Sequence, residues 1–183
     1  MPKTENDFPL NSVTVSELLK LASAYHHQAT TSRNAGARLA SCIMLGATIE
    51  AMLTAVVNLF CDETRPIAIA RRLKLENLLK WDLGKLLDVA KDAKLLPDKL
   101  NLHPKMDARD VKDPVPTDTI REVRNLVHPG RHLMERGGKE ITPEELDTLY
   151  ATCHATYNCL VEKIESKFAK LPKVRTILRN PKP

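Results

Sequence analysis

Apolar residues along this chain recur every three or four positions far more often than every second one, the signature of amphipathic helices. A first helix is expected to begin near Ser12 or Thr14. Its apolar face is Leu18, Leu19, Leu21, Ala22 and Tyr25, and the polar stretch after His26 and His27, as far as Asn34, reads as a connection. Both histidines are expected at the surface. Residues 35–60, AGARLASCIMLGATIEAMLTAVVNLF, are apolar almost all round, which predicts a central buried helix. Arg38 and Glu50 are its charged interruptions. A carboxylate buried there needs a partner, for which an arginine from another helix is the natural candidate.

Asp62, Glu63 and Pro66 break the pattern, and a third helical stretch is expected to reach about Lys80. A fourth, residues 82–96, carries Leu83, Leu86, Leu87, Ala90 and Ala93 at helical spacing, with Asp82 as its N-cap and Trp81 in the core. Residues 97–116 hold Pro97, Pro104, Pro114 and Pro116 and are expected to be mostly irregular. The next short helix, capped by Thr117 or Asp118, turns Ile120, Val123 and Val127 inward. It ends at Pro129, with Gly130 suited to a left-handed exit. After a turn at Gly137 and Gly138, Thr142-Pro143-Glu144-Glu145 places threonine at the cap, proline at the first position and glutamate at the third. The helix it starts should run to about Leu171, burying Leu146, Leu149, Tyr150, Cys153, Tyr157, Leu160, Ile164 and Phe168. The predicted organisation is one all-α domain over residues 12–171. A loose arm, 1–11, precedes it, and a flexible basic tail, 172–183, follows with Lys173, Arg175, Arg179 and Lys182.

Composition changes this picture little. The 183 residues include only six glycines, with 43% hydrophobic and 28% charged residues, as ordinary soluble domains have. A net charge of +5 and a pI near 9.0 fit a polyanionic partner such as RNA, and equally a plain soluble protein. The four cysteines form no C-x-x-C pair, and Cys42 and Cys153 fall at apolar helix positions where a thiol acts as a small hydrophobe. With no secretory pattern and no apolar run of about 18 residues, a reducing cytoplasmic setting without membrane insertion is expected.

Chemistry concentrates in TIREVRNLVHPGR, residues 119–131. On an α-helix Arg121, Arg124 and His128 stand at i, i+3 and i+7 on one face, with Asn125 at i+4 from Arg121 and Arg131 just beyond. Guanidinium forks match phosphate oxygens and stay charged. An imidazole near neutrality can take a proton from a ribose 2′-hydroxyl or return one to a leaving oxygen. That combination suits RNA cleavage, for which no metal or other cofactor would be needed. The same side chains equally serve structure, Arg121 or Arg124 by pairing with Glu50 or Glu122, and His128 by meeting a helix C-terminus. His128 and His132 have H-x-x-x-H spacing, but Pro129 and Gly130 interrupt the helix a zinc pair would use. Cys153 and His154, neighbours on a helix, point about 100° apart and make no catalytic dyad.

Two stretches, LGATIEAMLTAVV and REVRNLVHPGR, resemble the HEPN superfamily of small helical domains. The first is similar to that family's central helix with its embedded glutamate, the second to its motif of an arginine followed after four to six residues by histidine. The order of segments agrees over roughly residues 12–170. The resemblance implies an up-and-down helical bundle with a long C-terminal helix, dimerising so that two Arg/His pairs share one cleft. It implies a metal-independent endoribonuclease of toxin or phage-defence type, with an antitoxin or defence partner. The alternative is a non-catalytic dimeric module binding RNA, a nucleotide or a protein. Carried over, His128 is the motif histidine and Glu50 the buried acid that orients an arginine. Arg121 satisfies the spacing but precedes Glu122, whereas Arg124 precedes the more typical Asn125 and lies closer to His128.

Overall fold

The computed structural model describes residues 10–102, 114–126, 130, 133, 134, 137 and 139–168, without the side chains of Arg124 and Asn125. It is an all-α helical bundle. Asn11 caps α1 (Ser12–Asn34), its side chain accepting from the Thr14 N–H at 2.9 Å. Here the predicted connection is wrong: the residues from His26 to Asn34 continue the helix, because Thr30 and Thr31 return their hydroxyls to the carbonyls of His26 and His27 and fit the helical backbone. Ala22 is buried as expected, but Leu21 is exposed, and Val15 and Ala29 join the core side. Of the expected loose arm, Leu10 is tied to α2 by paired bonds with the Asn58 amide; residues 1–9 lie outside the described ones.

Gly36, at φ +78°, makes the turn into α2 (Arg38–Leu59). This is the central helix, with Leu45, Ile49, Met52, Leu53, Val56 and Val57 fully buried. By length and composition α2 could cross a membrane, contrary to the expectation that no run approaches that length. Most of it is buried inside the bundle, which accounts for its apolarity. Glu50 is corrected as well: it is exposed, so the burial cost that called for an arginine does not arise there.

The expected break after α2 is a helix, α3 (Cys61–Ala70). Asp62 and Glu63 sit in its first turn, where the helix dipole favours carboxylates, and the Thr64 hydroxyl donates to the carbonyls of Val57 (2.7 Å) and Phe60 (3.0 Å) to seat that turn. A 3-10 turn (Leu75–Lys80) follows, ending at Trp81, which is buried with its indole N–H on the Lys74 carbonyl. Asp82 caps α4 (Leu83–Asp92) as expected. The helix stops short of residue 96 because Lys94 turns left-handed at φ 57° and Leu95 bonds back to the Ala90 carbonyl.

Two short strands, β1 (Lys99–Leu100) and β2 (Val115–Pro116), pair antiparallel. A 3-10 turn (Thr117–Glu122) leads directly into α5 (Val123–Leu126). Gly130 is helical rather than left-handed, while Gly137 makes the expected turn at φ +61°. The last helix, α6 (Pro143–Lys167), opens on a complete capping box: Glu145 N–H to the Thr142 hydroxyl, and Thr142 N–H to the Glu145 carboxylate. Leu149, Tyr150, Cys153, Tyr157, Leu160 and Ile164 are buried along it, as their spacing predicts. Its expected end at Leu171 and the tail 172–183 lie outside the described residues.

Candidate functional site

The segment from Thr117 to Leu126 is seated by a row of side chains three residues apart. A 3-10 helix has three residues per turn, so Thr117 and Ile120 fall on one side, and Val123 continues the row; all three are buried. Neither Thr117 nor Asp118 caps the segment as expected. The Thr117 hydroxyl instead donates to the Pro97 carbonyl at 2.5 Å, and Asp118 turns outward to cations. Val123 drops onto Gly46 of α2, where a Cβ would come within 2.2 Å of its Cγ1. The glycine in LGATIE thus lets α5 approach the central helix.

The same period of three puts Asp118 and Arg121 together on the outer side. Arg121 Nε donates to Asp118 Oδ1 at 2.9 Å, and its Nη2 pairs with Asp88 Oδ1 from α4. Lys91, also on α4, reaches Asp118 Oδ2 at 2.6 Å. Asp88 continues to Arg71 at 3.4 Å, and Arg71 to Asp92 at 2.7 Å. One chain of alternating charges thereby stitches the end of α3, the outer face of α4 and the 3-10 turn. Lys91, through its hydrogen bond, holds the Asp118 carboxyl below the usual carboxylate range despite partial burial. Burial opposes the Arg121 charge, but the bonds to Asp118 and Asp88 outweigh it and its pKa rises.

Arg121 is therefore tied to two aspartates rather than to Glu50 or Glu122, and its side chain is 40% exposed. Arg124 and Asn125 lie in α5 with side chains outside the description, and His128, His132 and Arg131 are outside the described residues altogether. Glu50, exposed on α2, is not the buried acid that the resemblance implied. Asp88 and Asp118 were missed by sequence reasoning; a signal was present in Gly84 and Asp88, one turn apart on the polar side of LGKLLD.

A second cluster lies between α1 and α6. His26 stacks on Tyr157 with ring centroids 4.2 Å apart and planes 13° from parallel, and the His154 ring is 5.5 Å away. His26 is half-buried, not the surface residue expected, whereas His27 is exposed. Burial, then the nearby His154 and His27, lower the His26 pKa to about 4, and burial lowers His154 as well. Further along the seam Arg33 packs over Tyr150 at 4.8 Å and pairs with Asp147, which Arg38 also reaches at 3.1 Å. Among the described residues no three His, Cys, Asp or Glu side chains gather in a way that would hold a metal ion. No family model, curated protein or solved structure matches this chain.

Proposed function

We propose that this chain is a HEPN-like protein acting on RNA, a metal-independent endoribonuclease of toxin or phage-defence type that works as a cytoplasmic homodimer beside an antitoxin or defence partner. In this reading His128 takes the proton of a ribose 2′-hydroxyl as its oxygen attacks phosphorus, and the histidine of the second copy protonates the departing 5′-oxygen. Arg124 stabilises the charge that builds on the phosphate, with Asn125 and Arg131 beside it. A two-fold axis doubles the cations facing one phosphate. Arg121 anchors the segment. The observation that supports the reading most is the seating of residues 117–126: Thr117, Ile120 and Val123 turn inward, and the charged positions Arg121 and Glu122 are left on the outer side.

The pairing of Arg121 with Asp88 and Asp118 favours a second reading, a dimeric module that binds RNA, a nucleotide or a protein without turnover, since a guanidinium engaged by two carboxylates adds little to transition-state stabilisation. RNA cleavage in EDTA separates the two. The ribonuclease cuts RNA without metal, and His128→Ala lowers the rate at least a hundredfold while circular dichroism and dimer mass stay unchanged. Full activity in that variant rejects the assignment. Salt-sensitive RNA binding with no cleavage establishes the second reading.

A further inference from the structure

We infer that Asp88 is a positioning residue for the candidate site, acting through Arg121 to set where the turn carrying Arg124 lies against α4. The geometry of α4 carries this. Gly84 leaves a bare patch of helix at which a Cβ would stand 2.9 Å from Arg121 Nη1, so the guanidinium lies across the backbone there. Asp88, one helical turn on, receives Nη2, and Asp118 receives Nε, so two of the three guanidinium nitrogens are held by carboxylates. Arg71 and Lys91 hold those two carboxylates from their far sides, at 3.4 Å and 2.6 Å. A lone surface ion pair sets no geometry, because each long side chain swings freely. A planar fork clasped by two carboxylates, each braced by another cation, has far less freedom. Thr117, Ile120 and Val123 fix the depth of the segment; the clasp fixes its rotation and its slide along α4.

The functional half of this inference rests on the ribonuclease reading, so the test has two arms. Hydrogen exchange of amides 120–126 reports position whether or not RNA is cut, and single-substrate RNA kinetics report the consequence. Asp88→Ala is expected to raise exchange across 120–126 at least tenfold, with α1, α2 and α6 unchanged. It should lower kcat at least tenfold with KM nearly constant, and Asp88→Glu should restore most of both. Gly84→Ala keeps every charge and favours helix in α4, so it folds, yet it displaces the guanidinium and should reproduce the exchange effect. Unchanged exchange at 120–126 in both Asp88→Ala and Gly84→Ala overturns the inference. A loss of kcat in Asp88→Ala that Asp88→Glu does not recover overturns it too. If exchange responds in both variants while the wild-type protein cuts no RNA, positioning stands and the ribonuclease reading falls.

Discussion

His26 is one ring in a cluster of three, and its protonation has a direction that can be worked out. Tyr157 and His154 face it from α6, and His27 and Arg33 lie on its own helix. No group among these supplies a negative charge to an imidazolium at neutral pH. In the unfolded chain the ring binds its proton near pH 6.5, in the folded protein only near pH 4. Between those values the unfolded state holds the extra proton, so stability is complete above about pH 6.5 and falls as the pH drops toward 4. With allowance for solvent screening of a half-buried group, the loss attributable to His26 is about 1–2 kcal/mol. Urea unfolding at pH 7.5 and 4.5 measures it: His26→Phe, which keeps a flat ring against Tyr157, should lose less stability on acidification than the wild-type protein. An equal loss in both would show that the proton goes elsewhere.

Between elements, α5 approaches α2 closely at Gly46. Gly46→Ala gains helix propensity, about 1 kcal/mol, but its methyl group meets Val123 at 2.2 Å, and Val123 is buried with nowhere to go. Overpacking of this kind costs about 1–3 kcal/mol, so a net destabilisation of about 1 kcal/mol is expected. Val123→Ala in the same molecule should recover part of it, and chemical denaturation of the four members of the cycle reads the coupling. That contact also marks how far the sequence could be read. The caps at Asp82 and Thr142 were legible because capping is settled within four residues, and α2 was legible because its apolarity runs all round the helix. Pro66 misled, since the acidic first turn and the Thr64 hydroxyl outvote a single proline. The polar run to Asn34 misled too, because threonines on a helix surface can satisfy themselves on its own carbonyls. Of the two partners of Arg121, Asp118 lies three residues before it and within reach of counting along the chain, but the other does not. Asp88 is 33 residues away, and only the packing of α4 beside the 3-10 turn brings it near.

Taken whole, the molecule hides two of its thiols and leaves two within reach. Cys42 and Cys153 are buried, whereas Cys61 and Cys159 are partly exposed. Burial raises the Cys42 thiol to about 11 and raises Cys153 further, and Cys42 is also held by a bond to the Leu146 carbonyl, 3.2 Å across from α2 to α6. A thiol reacts as its thiolate, so a neutral, sealed sulfur is inert. In a native sample, an alkylating reagent should therefore label the two partly exposed thiols first, Cys61 ahead of Cys159, whose pKa burial also raises, and the remaining two only at the pace at which α2 and α6 separate. Mass spectrometry of timed aliquots follows both phases, and four labels arriving together would contradict it. The chain thus carries its own clock for the opening of its core, set in sulfur at the seam of its two most deeply packed helices.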